Sequence, residues 1–202
     1  MGKVGICRSI LRALRRARLP IVTFAVTYLV AILIGIVLVH IGNDFALSRR
    51  DSIIANAQTS SILIAFHKGN RLGAALLDFS ANFLSAVANT ISGLTLVVPY
   101  PVAAYRGWIV GIVSVDSSHV SRLIDLNSAL YYVLTVILQL IPYSLAGGAG
   151  VNLGLAFLWP RPSYQGENWL GLPKEAIRDV LRIYILVLPL FFAASLFEFL
   201  AN

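Results

Sequence analysis

Long apolar runs separated by short polar stretches dominate this chain. The first run, Pro20 to Ile41, is long enough to cross ~30 Å of hydrocarbon as a helix. Pro20 suits the first turn of that helix. Before it, Arg8, Arg12, Arg15 and Arg16 fall on one helical face, while Cys7, Ile10, Leu11 and Leu14 fall on the other. Gly2 to Arg18 is therefore expected to form a short amphipathic helix on the membrane surface, feeding into the first span. Asn43 to Arg71 is too polar to span. Its Ile53, Ile54, Ala57, Ile62, Leu63 and Phe66 predict an amphipathic helix on the opposite surface.

The second span is expected over Gly73 to Val98, ended by Pro99-Tyr100-Pro101, since proline lacks a donor and disfavours helix in the residue before it. Val102 to Val115 is short for an upright span and predicts a half-helix, a re-entrant piece or a span extended by its flanks. Asp116 to Asn127 is a polar connection. Ser128 to Trp159 is too long for one straight span, and Pro142 with Gly147-Gly148-Ala149-Gly150 can break it. A kinked helix, or two shorter helices meeting near Ser144 to Gly150, is expected. Pro160 to Asp179 is a polar loop whose Trp169, with the nearby Trp159 and Tyr164, suits an interfacial aromatic belt. Pro173-Lys174-Glu175 opens a surface helix, and Val180 to Leu200 is the last span.

The fold class that follows is all-α: an integral membrane bundle of about five spans, with broken or half-helices and amphipathic surface helices. Residues 1–19 form a basic cytoplasmic segment and residues 20–202 a single transmembrane domain. Composition agrees. The chain is 58% hydrophobic and 12% charged with mean hydropathy +0.81, too few charges to cover a soluble surface. The net charge of +7 does not point to nucleic acid, because Lys3, Arg8, Arg12, Arg15, Arg16 and Arg18 all precede the first span with no acid among them. Such a cluster anchors on anionic lipid and, by the positive-inside bias, sets the N-terminus in the cytoplasm of a cell (inner) membrane. With five spans, the loop holding Arg161, Lys174, Arg178 and Arg182 is cytoplasmic too.

Polar residues inside the spans change the picture most, because each is costly in hydrocarbon unless a protein group satisfies it. Asn82, Asn89 and Gly93 share one helical face, flanked by Ser85, Ala86 and Ser92. Such a face lets a second helix approach closely and exchange hydrogen bonds; it could also line a polar path. Asp78, a turn before Asn82, reads as a membrane-edge charge or a proton-relay acid. Arg106, with Gly107 and Gly111, follows the Pro99 break, where a cation adds to the positive end of a half-helix. Lipid phosphate, Glu198 or Asp78 could compensate it. Gln139, Pro142, Gly147, Gly150 and Asn152 bring further hydrogen bonding and irregularity to the fourth apolar run.

Chemistry is poorly provided for. The histidines are His40, His67 and His119, none in a zinc-ligand helix pair, and Cys7 is the sole cysteine. No phosphate-cradling loop or nucleophile elbow is present. No catalytic, metal or cofactor-binding residue is assigned, and no cofactor is expected.

In order and spacing, Asn82 with Gly93, Gly107-x-x-x-Gly111, Leu140-Ile141-Pro142, the small residues to Gly150 and Leu153-Gly154, and Ala193-Ala194 with Glu198 resemble the stage II sporulation protein M family. The resemblance covers Leu72 to Ala201. Where that family has Asn-Gly before the half-helix, this chain has Arg106-Gly107. Where it has Leu-Pro-His-Gly followed by Glu, this chain has Ile141-Pro142-Tyr143-Ser144, with Gly147 near the place of the acid. The resemblance implies a membrane component rather than a catalyst. Its sporulation members act beside cell-wall hydrolases as a membrane scaffold. The expected partners are the lipid bilayer and either further copies of the chain or other membrane subunits. The alternative is a permease-like protein moving a small solute or lipid near Pro99 to Arg106 and Pro142 to Gly150.

Overall fold

Seven helices account for nearly all of the chain: α1 Lys3–His40, α2 Asp44–Gln58, α3 Ser61–His67, α4 Arg71–Ser92, α5 Pro99–Ile112, α6 Leu126–Leu158 and α7 Lys174–Leu200. This computed structural model describes residues 3–116, 118–159, 162–164 and 166–200. Met1, Gly2, Pro160, Arg161 and Ala201, which enter the sequence expectations, lie outside the described residues.

Four helices, α1, α4 (with its closing turn), α6 and α7, are long and apolar enough to cross a membrane. Contacts between them fix their directions. Arg16 meets Asp179, and Tyr28 and Phe191 meet the same Tyr143 ring, so α1 and α7 run the same way. Gly148 approaches Ile21 while Tyr143 stacks on Tyr28, so α6 runs opposite to α1. Asn82 meets Tyr143 and Gly93 meets Gly150, so α4 runs with α6. Two helices of the same sense need a return between them. That return is α5, which runs with α1: Tyr100 meets Thr23, and Gly111 meets Gly35. At fourteen residues α5 rises only ~21 Å, and the turn over 93–98 supplies the rest of the crossing. The bundle thus has one end carrying Arg16, Tyr164 and Asp179, and a far end carrying His40, α2, α3 and Ser121.

Several expectations need correction. The basic leading segment is not a separate surface helix. Helix α1 continues through Pro20 without a break, and Ala13 and Ala17 are fully buried in the core that holds Ile183 and Val187. Pro20 is accommodated inside a helix rather than at its first turn. Asn43 to Arg71 holds two helices, because Ser60 caps the second through Leu63 N. The second span ends earlier than Val98: Gly93–Thr95 forms a 3-10 turn, Leu96 has a positive φ of 62°, and Pro99 starts α5.

The fourth apolar run is not divided into two helices. Helix α6 runs through Pro142 and the glycines, which are all buried. Opening the backbone at that depth would leave polar groups with neither water nor protein partners. The glycines serve close approach instead. At ~50 Å, α6 exceeds the hydrocarbon thickness and extends beyond it. The surface helix expected at Pro173 and the last span are likewise one element, α7, entered from a two-stranded hairpin of Asn168–Trp169 and Leu172–Pro173.

Candidate functional site

The polar residues of the spans converge at the level of Tyr143. Small residues make the convergence possible. A Cβ at Gly93 would stand 2.6 Å from the Gly150 Cα, and one at Gly150 would stand 2.7 Å from the Thr90 Cα. Gly147 receives the Phe24 ring, Gly107 lies against the Tyr28 backbone, and Gly111 packs on Gly35. Close approach of this kind replaces hydrophobic drive between helices in lipid. Gly35 was not singled out in the sequence, since a lone glycine in an apolar helix carries no periodic signal.

Within this frame a chain of side chains crosses four helices. Ser195 of α7 donates to the Asp78 carboxylate at 2.7 Å, and Asn82 donates to the same oxygen at 2.9 Å. Tyr143 of α6 donates to the Asn82 carbonyl at 2.7 Å. Arg106 of α5 donates to the Tyr143 hydroxyl at 2.5 Å and, by its other terminal nitrogen, to Ser85. Its guanidinium also lies 4.6 Å from the centre of the Tyr143 ring, a cation–π contact. In a low dielectric such bonds strengthen one another, provided each member is satisfied. Asp78 is therefore directed into the bundle.

Glu198 meets Gln139 and Tyr131. Its carboxylate accepts from Gln139 at 2.7 Å, and its backbone carbonyl accepts from Tyr131. Arg106 makes neither of the direct carboxylate pairs considered for it, with Glu198 or with Asp78. It also lies in mid-helix, where the positive end of α5 does not reach it. Asn89 is buried and receives a long bond from Ser92, while its neighbour Thr90 donates to the Ala146 carbonyl and meets Tyr184. His67 closes α3, and among the described residues no His, Cys, Asp and Glu group could hold a metal ion.

A second polar cluster, which the sequence reading placed in a loop, closes the arginine-bearing end. Asp179 is fully buried and accepts from Arg16 at 2.6 Å, from Arg182 at 2.8 Å and from Tyr164 at 3.1 Å. Tyr164 in turn accepts from Asn152, the one member of this cluster that had been singled out. Burial pushes the Tyr164 hydroxyl up to about 12. Glu175 joins through Arg16 and Arg182. Only the spacing of Glu175, Asp179 and Arg182 on one helical face could have announced it. At the far end Arg50 is wholly buried and donates to the Asp116 carbonyl at 2.7 Å and to Asp51.

Two cavities border these groups. One of about 540 Å³ opens among Arg122, Asn127, Tyr131 and Glu198. The other, of about 520 Å³, lies beside Tyr28, Arg106, Gln139 and Tyr143. The Gln139–Glu198 bond links a wall residue of each.

Comparison with protein families matches residues 24–200 to Stage II sporulation protein M. No curated protein and no solved structure is significantly similar to the chain. The match spans most of the sequence and includes the Asp78–Asn82–Tyr143–Arg106 chain and the Gly93–Gly150 contact. The match and the membrane-length helices go together, and the chain belongs to the stage II sporulation protein M family.

Proposed function

We propose that the protein is a membrane scaffold or accessory subunit that assembles with itself or with a larger membrane complex. The observation that carries this reading is the closed packing of α4, α6 and α1 over Pro142 to Gly150, one of the two places where a permeation path was considered. Where a permease would need a wet path, Gly93 meets Gly150, Phe24 occupies the space over Gly147, and Thr90 seals α4 to α6. The Asn82–Gly93 face is consumed within the chain, so partners would meet other surfaces. The far-end layer of α2 and α3, and the exposed basic start of α1, are the surfaces free for them. The excess of Lys3, Arg8, Arg12, Arg15, Arg16, Arg18, Lys174, Arg178 and Arg182 at one end supports a cytoplasmic N-terminus in a cell membrane.

Efflux from liposomes carrying the purified protein tests the choice between scaffold and permease. Small ions and sugars should be retained as in protein-free liposomes. Saturable efflux that depends on the protein would overturn the scaffold reading in favour of transport.

A further inference from the structure

We propose that the cavity beside Arg106 binds the phosphate headgroup of an anionic membrane lipid. Arg106 and Tyr28 hold the head, and the apolar wall takes the start of the chains. Three observations converge here. Among the described residues Arg106 makes no ion pair; its partners are the neutral Tyr143 and Ser85. Tyr28 lines the same cavity, is stacked on Tyr143, and its hydroxyl makes no hydrogen bond among the described residues. The remaining wall is largely apolar, with Val102, Ile109 and Val110, and its rim carries the exposed Tyr105, whose hydroxyl accepts from Arg49 at 2.6 Å.

Depth makes the cation specific for an anion. Tyr28 stands about 15 Å along α1 from Arg18 and about 18 Å from His40, near mid-membrane. A headgroup at that level has lost most of its water, so a fixed positive charge decides whether it can stay. A guanidinium with free donors and a neighbouring hydroxyl matches phosphate oxygens in both charge and hydrogen-bond direction. A zwitterionic choline headgroup brings a second charge for which the cavity wall offers no carboxylate.

The test is native mass spectrometry of the delipidated full-length protein with phosphatidic acid, phosphatidylcholine of the same chains, or inorganic phosphate. Wild type should retain phosphatidic acid at least about tenfold better than phosphatidylcholine, the ratio expected when the monoester's additional acceptor oxygen makes one further charge-assisted contact. Arg106→Gln should lose that preference. Tyr28→Phe, which removes only the hydroxyl, should reduce it about threefold. Arg12→Gln, in the exposed basic segment, should leave it unchanged. Should Arg106→Gln not yield folded protein, Tyr28→Phe decides, and an unchanged preference there overturns the site. An equal preference in Arg106→Gln and wild type overturns it as well. So does loss of the preference in Arg12→Gln, which would mean binding at the surface. Inorganic phosphate held as tightly as phosphatidic acid would make the ligand a soluble anion and overturn the lipid assignment.

Discussion

Gly93 and Gly150 touch backbone to backbone, with only 2.6 Å between the Gly150 Cα and the place a Gly93 side chain would begin. Neither backbone can yield without parting α4 from α6. Gly93→Ala should therefore cost about 1–3 kcal/mol, the range for overpacking a filled core. Ile91→Ala, at a residue 62% exposed in the last turn of α4, should cost less. Thermal unfolding in detergent compares them, and equal losses would count against the close-packed crossing.

Arg106 and Glu198 belong to separate hydrogen-bonded groups, one through Tyr143 and the other through Gln139. Losses in Arg106→Gln and Glu198→Gln should add. Gln139→Leu and Glu198→Gln share a bond, so their losses should couple by about 0.5–3 kcal/mol. Coupling in the first cycle but not the second would reverse the assignment of partners.

Tyr143 joins three helices by one hydroxyl, which receives from Arg106 and donates to Asn82. Tyr143→Phe keeps the ring stacked on Tyr28 and removes both bonds. The loss should be about 1–3 kcal/mol, as for a buried partner left unsatisfied. Asp78→Asn should be less damaging in that background than in wild type, because the chain is already cut.

These groups show what the sequence carried. Length and hydropathy alone were enough for four of the helices, and Asn82, Asn89 and Gly93 lie on the part of the chain where Asn82 meets Tyr143 and Gly93 meets Gly150. Helix boundaries failed at Pro20, at Pro142 for the two-helix alternative, and between the surface helix and the span at Val180, where local rules assume that a break can be solvated. In a bilayer it cannot, and the helix continues. Of the partners considered for Arg106, neither acid, Asp78 or Glu198, is reached directly, and one dimension offers no way to choose between them. Only the register of α5 against α4 and α6 brings the guanidinium to Ser85 and Tyr143. Asp179 was missed because a polar stretch next to a span reads as a loop, although its carboxylate is wholly buried.

Asp179 is held between Arg16 and Arg182, both of which keep Glu175, so Asp179→Asn removes the buried anion without stranding either cation and should cost about 1–3 kcal/mol. Glu175→Gln, at a side chain 32% exposed, should cost less. Tyr164 adds a pH dependence. Burial raises its hydroxyl from 10.0 to about 12, so the folded state holds that proton more tightly than the unfolded chain does. Its contribution is whole below pH 10 and is lost as pH rises toward 12. The stability gap between wild type and Tyr164→Phe should narrow over that window; a gap independent of pH would remove Tyr164 from the cluster.

The two ends of the bundle differ in charge, and labelling in intact cells reads which one faces outward. In a Cys7→Ser background, Thr59→Cys at the far end should react with an impermeant thiol reagent, and Ser163→Cys should not. The reverse pattern would invert the topology.

The mass of the assembly carved directly from native membranes into polymer-bounded discs tests the scaffold reading most directly. A scaffold should emerge as several copies of the 21.9 kDa chain, or together with other membrane subunits. A single chain surrounded only by lipid, at the expression level of the native cell, would contradict it.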